Sequence, residues 1–576
     1  MPNFFSDNED IVDFLDNADM RDAVMLRERN YVESQHYGYA PVDYEDAMDN
    51  YRRVLTMLGR LSAEFIAPRA AEVDEEGAHF GDGKVTYARG TQQSLDQLRK
   101  AELMGFTLPR RYGGLNMPVT IFTVAVELVS RADASLMNLF GLQDIAETVN
   151  KFADEDLKAQ YLPRLASGEV LGAMVLTEPD AGSDLTNVQL RASLDATGTW
   201  RLNGVKRFIT NGCADVLLVL ARSEPETAGA RGLSLFVCDS GPAVRVRRIE
   251  EKLGIHGSPT CELQFANAPA QLIGARKRGL STYVMSLMNG ARLAIAAQGV
   301  GIAQAALSTA LDYAAEREQF GKRIREFPAV RRMLGDMHLK VETSRLLTYE
   351  TAVAVDLADG IEHLGQSGEL ASLPRGQELA ASGKRWTALA RALTPVAKYY
   401  ATEMCNQVAY DAVQVLAGSG YMRDYEVERH YRDARITTIY EGTTQIQHTA
   451  ALGYVLKGTF ENRFAELHER RAAAGADGAM LAALEDARQL LGETVDFANG
   501  QEQDFRDLQA ARLVESATTI LNGYLLLEPA MRSNHKRALA ENYLNESLPR
   551  VRLYRDQVTR GSRTYLDRMP ELLGYE

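Results

Sequence analysis

The sequence predicts a mainly α-helical protein with a small β domain set into it and further helices appended at the C-terminal end. Three observations carry that reading. Apolar residues recur at spacings of three and four from Tyr44 to about residue 170. Short β-rich runs replace that period between about 172 and 275. The helical period then returns near Leu280 and continues to the C-terminus. The expected division is an N-terminal extension (1–45), an N-terminal helical domain (46–171), a small antiparallel β-barrel or sandwich (172–275), a C-terminal helical bundle (276–458) and an additional helical domain (459–576).

Residues 1–45 are acidic and weakly periodic, which predicts one short helix and a loop. Met48, Tyr51, Val54, Leu55, Leu58, Leu61 and Phe65 then form a helical stripe that ends before Pro68. Further helical patterns cover Leu95–Met104, Phe122–Ala132 and Leu139–Ala153. The β-rich runs are Ala173–Thr177, Trp200–Leu202, Val205–Thr210, Val216–Ala221, Leu233–Val237, Val244–Ile249 and Thr260–Phe265. Asn203-Gly204 separates two of them by two residues, the strongest short signal for a hairpin with a type I′ turn. A Gly/Ser-rich stretch over Asp359–Lys384 reads as a linker inside the second helical region. Beyond Gly458, Leu481, Leu484, Ala487 and Leu491 form one apolar stripe, and Leu513, Ala517, Ile520, Leu521 and Tyr524 form another.

A hydrophobic share of 45% and a charged share of 25% are globular values, so collagen-like, mucin-like and disordered chains are excluded. A net charge of −14 argues against nucleic acid or an anionic membrane surface as the main partner. No run approaches about 18 consecutive apolar residues, so no spanning helix is expected. The opening MPNFFSDNEDIVDFLDNADM is acidic and has neither the basic and apolar regions of a secretory signal nor the Arg-rich character of a transit peptide, so a cytoplasmic location is expected. Cys213, Cys238, Cys261 and Cys405 form no C-x-x-C pair and read as buried free thiols. The nine histidines form no metal-ligand spacing, so no metal is expected.

Five segments hold residue types that carry chemistry. Leu176-Thr-Glu-Pro-Asp-Ala-Gly-Ser-Asp184 is a strand entering a turn, where hydroxyls and backbone N–H groups can meet an anion; an ordinary strand-to-loop turn is the bland reading. Lys206-Arg-Phe-Ile-Thr-Asn-Gly212 sets an aromatic beside a hydroxyl at a strand end, and a half-buried strand is the plain alternative. Ala315-Glu-Arg-Glu-Gln-Phe-Gly-Lys-Arg-Ile324 reads as a helix ending at Gly321, with Arg317 available to phosphate or simply solvated. Gln414-Val-Leu-Ala-Gly-Ser-Gly-Tyr421 allows close backbone approach but follows no strand, so it is no Rossmann fingerprint. In Arg432-Asp-Ala-Arg-Ile-Thr-Thr-Ile-Tyr-Glu-Gly-Thr-Thr-Gln-Ile-Gln447, Thr444 and Gln447 fit a capping box for helix Gln445–Lys457. That leaves Glu441 in a loop before a helix, behind apolar Ile439-Tyr440. Burial by those neighbours would raise its pKa toward that of a general base; a solvated loop carboxylate is the bland reading.

In order and spacing the five segments together resemble the acyl-CoA dehydrogenase family of flavoproteins, over about residues 46–458. The residues outside that span resemble the C-terminally extended subgroup, which includes the very-long-chain and 3-methylmercaptopropionyl-CoA dehydrogenases. The resemblance implies an FAD cofactor. It places Thr177, Gly182 and Ser183 along the flavin and its pyrophosphate, and Phe208, Ile209 and Thr210 at the flavin ring. Many members have Trp at the position of Phe208. It also implies that Arg317, Gln319 and Phe320 reach FAD across a dimer interface, that Gln414 and Gly418 hold the diphosphate of the neighbouring subunit, and that Thr443 and Gln445 touch FAD.

By the same resemblance Glu441 is the catalytic base that takes the α-proton of an acyl-CoA while the β-hydride passes to flavin N5. Some relatives carry the base on another helix, immediately before an arginine. Here that arginine is Arg292 and Ala291 precedes it, so Glu441 is the only candidate. Ser183, Asn289, Arg292, Tyr440 and Gly442 are the implied substrate contacts, with Asn289 standing where a carboxylate is common. Electron-transfer flavoprotein is the implied electron acceptor. A homodimer is expected, with a tetramer as the alternative and the extension covering the surface on which dimers would stack. Two other functions share the fold: an oxidase using O₂, and an alkylation-response flavoprotein associated with nucleic acid. The latter needs a basic extension, whereas residues 459–576 hold more Asp and Glu than Lys and Arg. Membrane association through the extension, as in very-long-chain relatives, is a further reading of the apolar run Ile520–Leu527; a buried helix explains the run as well, and no basic face accompanies it. The acyl group itself is not readable from the sequence.

Overall fold

The computed structural model describes residues 1–575. By contacts the chain divides into two compact units, residues 1–325 with 409–437, and residues 326–408 with 438 onward. This division runs through the segment 276–458, and the helix Gly376–Leu416 contributes to both units.

In the first unit the N-terminal 45 residues are more ordered than their composition suggests. They form helices Glu9–Asn17 and Arg21–Arg27 and a 3₁₀ segment, Arg29–Gln35. Polar contacts explain the difference, and an apolar period cannot report them. Asn8 caps the first helix by accepting from the Asp10 and Ile11 amides. Glu28 is buried, receives the Tyr51 hydroxyl at 2.8 Å and pairs with buried Arg110 at 2.7 Å. The stripe from Met48 becomes helix Tyr44–Leu61, which buries Met48, Tyr51, Leu55 and Leu58. The pattern at Leu139–Ala153 is two helices, Ala134–Phe140 and Asp144–Phe152, parted at Gly141–Gln143; the one at Leu95–Met104 lies earlier, as Arg89–Lys100. An unexpected hairpin, His79–Gly81 with Lys84–Thr86, turns through Asp82 and Gly83, both at positive φ.

The long helix Met285–Glu316 packs along Val119–Ala132. Gly301 permits the approach, because a Cβ there would lie 2.5 Å from the Glu127 carbonyl. Contrary to the count of consecutive apolar residues, Gly279–Glu316 is long and apolar enough to cross a membrane. Scattered residues such as Asn289 and Gln298 hide this from such a count. Most of the segment is buried inside the protein, as a core helix is.

In the second unit the expected linker over Asp359–Lys384 shrinks to a short break. Helix Pro328–Ser367 runs into it from one side, and helix Gly376–Leu416 begins within it on the other. Ile361, Leu364, Leu370 and Leu379 are all buried, so the glycines and serines interrupt an apolar face without abolishing it. Both C-terminal stripes are buried in helices Gly478–Asn499 and Ala510–Ala530. Ala510–Ala530 is central, packing on Asn534–Thr559, Gly478–Asn499, Thr444–Leu456 and Pro328–Ser367. The Tyr399 hydroxyl donates to Thr518 at 2.8 Å, and buried Lys536 pairs with buried Glu342 at 2.7 Å. The extension is thus continuous with the bundle core of its unit.

The β domain, in the first unit, is a closed five-stranded barrel. Its ring runs Val216–Arg222, Arg191–Leu194, Trp200–Thr210, Thr260–Ile273, Leu233–Asp239 and back to Val216–Arg222. Strand Arg191–Leu194 is not among the predicted runs. The expectation of a purely antiparallel domain fails at two places: Gly172–Val175 lies parallel to Val216–Arg222, and Arg191 bridges Arg222 in parallel. The Asn203-Gly204 hairpin does not exist either. Trp200–Thr210 is one continuous strand with a bulge at Leu202/Asn203. The Asn203 amide engages Asn267 on the next strand, at 2.9 Å and 3.0 Å, where a turn would need it for itself. A Cβ at Gly204 would lie 3.0 Å from the Leu190 Cα, so glycine serves close backbone approach here.

Inside this barrel Lys206 is fully buried. Its ammonium donates to the Leu176 carbonyl at 2.6 Å and pairs with Glu178 at 3.0 Å, while Glu178 also accepts the Gln189 and Leu190 amides at 2.7 Å and 2.9 Å. Burial pushes the Lys206 ammonium down to about 8, with Glu178 opposing the shift. The native state therefore sheds this proton near pH 8 while the unfolded chain keeps it to 10.5. The unfolded state binds more protons in between, so this group's contribution to stability rises with pH across that window and is lost as pH falls through 8. Lys206→Met should remove that slope, worth up to about 3 kcal/mol. Near pH 7 it should destabilise by about 3–5 kcal/mol, because the Glu178 charge loses its buried partner. Denaturant unfolding of both proteins from pH 7 to 10.5 checks this; parallel pH profiles would show that the pair does not titrate as stated.

Candidate active site

In the first unit, residues expected at the flavin lie on two neighbouring pieces of backbone. The Arg207 amide donates to the Thr177 carbonyl at 3.0 Å, which sets the end of strand Trp200–Thr210 beside the Thr177–Asp184 turn. A second bulge, between Lys206 and Ile209, forces Phe208 to φ +61° and turns its ring outward, 52% exposed, with Arg207 stacked 4.5 Å from its centre. Ile209 is buried in the barrel, so its side chain cannot line the same surface as Phe208. Among the described residues, the hydroxyls of Thr177, Ser183 and Thr210 and the amides of Gly182 and Ser183 meet no protein partner. An aromatic face beside free hydroxyl and amide donors fits a planar, phosphate-bearing cofactor such as FAD. Elsewhere in the unit, Arg292 is buried on Met285–Glu316 and donates to Asn289 at 3.3 Å.

The segment with Arg317 differs from its predicted form. The helix stops at Glu316, and Glu318–Gln319 pairs with Lys322–Arg323 as a hairpin. Phe320 and Gly321 make the turn at φ +53° and +78°, so Gly321 is a turn residue and not a helix C′ residue. Arg317 and Gln319 are exposed and Phe320 is 94% exposed. Gln414 and Gly418 are also exposed, where helix Gly376–Leu416 gives way to Gly418–Tyr421.

The second unit holds the Tyr440–Gln445 loop. Glu441 and Gly442 both have positive φ, +54° and +96°. Glu441 is a non-glycine residue in the left-handed region, the kind of backbone state that persists only when its surroundings impose it. Ile439 is 44% exposed and Glu441 only half-buried, so the expected burial of the carboxylate by Ile439 is not found. The capping box does not form. Thr443 is the N-cap and makes no side-chain cap, and Thr444 donates to Glu403 at 2.5 Å. Gln447, fully buried, donates from Nε2 to both the Glu441 and Gly442 carbonyls at 3.0 Å. Its Oε1 is left without a partner among the described residues, a cost of about 1–3 kcal/mol. Lys398, also fully buried, donates to the Gly442 carbonyl at 2.8 Å.

The roles of Lys206 and Lys398 escape a motif search. The signal available for each was a cationic residue at an otherwise inward-facing position, of a strand for Lys206 and of the helical stripe Val396, Ala397, Ala401 for Lys398. Chemically, the loop offers a carboxylate next to backbone donors at the start of helix Thr444–Leu456. Those are the parts needed to remove a proton next to a carbonyl and stabilise the resulting oxyanion.

Family models for the acyl-CoA dehydrogenase N-terminal, middle and C-terminal domains match residues 48–169, 173–268 and 278–452. An acyl-CoA dehydrogenase of Bacillus subtilis is 36% identical over 374 residues, 64% of this chain and 90% of that protein. The 3-methylmercaptopropionyl-CoA dehydrogenase of Ruegeria pomeroyi is 35% identical over 462 residues, 74% of each chain. A solved acyl-CoA dehydrogenase of Bacillus anthracis complexed with FAD superposes with a TM-score of 0.74 over 88% of both chains at 23% identity. That coverage requires residues beyond 452, so part of the extension shares its fold. The chain belongs to the acyl-CoA dehydrogenase family, FAD flavoproteins that oxidise a CH–CH bond of an acyl-CoA thioester.

Proposed function

We propose that this protein dehydrogenates an acyl-CoA at Cα–Cβ, with Glu441 as the base that removes the α-proton. The observation that carries the proposal is Glu441 itself, a carboxylate on a turn held at positive φ beside a helix N-terminus. The α-proton of a thioester is weakly acidic, so its removal needs both a base and donors on the carbonyl oxygen. The Glu441 backbone N–H is the proposed donor from the protein. FAD, when bound, supplies the two-electron oxidant. Thr177, Gly182, Ser183 and Thr210 would hold it through their free donors, with Phe208 against its ring system. Thr443 and Gln445 would add contacts from the Glu441 loop, and Ser183, Asn289, Arg292, Tyr440 and Gly442 would contact the thioester or its CoA.

Electron-transfer flavoprotein is the proposed acceptor and the cytoplasm the proposed location. A homodimer is proposed, because Arg317, Gln319, Phe320, Gln414 and Gly418 are exposed on their own chain yet include a large aromatic, which fits residues completing a neighbour's cofactor site.

A panel of short, branched, cyclic, sulfur-containing and long acyl-CoA thioesters, scored by anaerobic bleaching of the flavin, should identify a substrate; no bleaching by any would sink the reading. Glu441→Gln should keep its flavin and bind acyl-CoA while turnover falls about 10²–10⁴-fold. More than roughly a tenth of wild-type activity would remove Glu441 from the role. Arg317→Ala should lower the flavin-to-protein absorbance ratio or shift light scattering toward monomer, since a guanidinium serving pyrophosphate is lost. An unchanged ratio and mass would make Arg317 a solvated residue.

A further inference from the structure

We propose that Lys398 and Gln447 are positioning residues for proton abstraction: from the buried side of the loop, they hold the carbonyls of residues 441 and 442 and so fix where the Glu441 carboxylate points. The proposal rests on Glu441 being the base.

Three observations converge on it. First, both side chains are fully buried, and they share the Gly442 carbonyl, with Gln447 reaching that of Glu441 as well. Gln447 Nε2 meets the carbonyls of Glu441 and Gly442 at 3.0 Å, and Lys398 Nζ meets that of Gly442 at 2.8 Å. Nε2 has two hydrogens and serves one to each carbonyl, which also fixes the amide orientation, since a flipped Oε1 would face two carbonyl oxygens. Second, the packing is close. A Cβ on Gly442 would lie 2.6 Å from Gln447 Nε2 and would be strained at φ +96°, so glycine lets the amide sit against both carbonyls. Third, the arrangement is kept at a cost to the fold: Gln447 Oε1 is orphaned, and the non-glycine Glu441 stays at φ +54°.

The consequence for chemistry follows from peptide planarity. In a trans peptide the N–H points opposite to the C=O, and the described residues contain no cis bond. Drawing the 441 and 442 carbonyls toward Lys398 and Gln447 turns the Gly442 and Thr443 N–H groups the other way, and neither has a protein acceptor among the described residues. The ammonium also polarises the 442–443 peptide, strengthening its N–H as a donor. Helix Gly376–Leu416 grips the loop a second time, where Glu403 accepts the Thr444 hydroxyl. Without the clamp, the strained turn has no reason to remain, and the carboxylate loses its aim. Misplacement of a catalytic group by about 1 Å is worth about 10²-fold in rate.

The test isolates proton abstraction from oxidation. In an (alkylthio)acetyl-CoA, of the chain length preferred in the substrate panel, sulfur replaces the β-carbon. No β-hydrogen can leave, so the α-proton passes to the base and a deuteron from D₂O returns to the α-carbon. Mass spectrometry reads the exchange rate on the flavin-loaded enzyme, and a binding titration reads the affinity. Wild type should exchange and Glu441→Gln should not; if both exchange alike, the base assignment itself falls, whatever the clamp does. Given that control, Lys398→Met and Gln447→Met should each slow exchange about 10- to 100-fold. Flavin content should match wild type and analogue affinity should stay within about threefold, a change too small for a lost contact. Exchange within about threefold of wild type in a folded variant overturns the proposal, as does a parallel loss of exchange and affinity, which marks a merely structural role. Should Lys398→Met not fold, Gln447→Met decides alone.

Discussion

A buried ammonium donating to a backbone carbonyl is the interaction on which both functional turns depend. Lys206 does this for the Leu176 carbonyl at the root of the Thr177–Asp184 turn, and Lys398 does it for the Gly442 carbonyl beside Glu441. Neither lysine has any exposed surface. An ammonium moved out of water loses several kcal/mol of hydration, so each is kept only where its hydrogen bonds are strong and its partners cannot drift. A carbonyl held this way fixes the peptide plane, and the plane fixes which way the next N–H points. Functional geometry is in this sense imposed from the interior outward.

The same logic applies to the backbone strain at these two turns. Phe208 and Glu441, the aromatic proposed for the flavin and the carboxylate proposed as the base, are both non-glycine residues at positive φ. In each case the residue beneath is immobilised. Lys206 lies two positions before Phe208 inside the barrel, and Gln447 sits under Glu441 on the first turns of its helix. A bulge or a left-handed turn on a loose segment would relax; on these anchors it persists and aims a side chain outward.

The C-terminal extension belongs to the same economy of burial. Its apolar stripes close over helices Pro328–Ser367 and Thr444–Leu456, and its polar contacts, Tyr399 with Thr518 and Lys536 with Glu342, are themselves buried. Thr444–Leu456 is also the helix whose N-terminus follows Glu441. The helix behind the proposed base is therefore packed by residues outside the matched family domains, so the extension acts as part of the support and not as a separate module.

Periodicity alone determined the succession of helical, β and helical regions and the burial of both C-terminal stripes, because a period of 3.6 or 2 is a local property of which residues must leave water. Motif order alone brought Thr177, Ser183, Phe208, Arg317 and Glu441 to notice. Local reading misjudged Asn203-Gly204, Gly321, the Thr444–Gln447 pair and the glycines near residue 360, since each of these residues has several local uses. Whether Asn203 turns the chain depended on Asn267, sixty-four residues away in sequence. What Gln447 donates to depended on carbonyls brought under it by a strained turn. Only the tertiary structure decided that the inward lysines 206 and 398 are anchors, because a charge in an apolar stripe gains its meaning from the carbonyls and carboxylates that folding places within 3 Å of it.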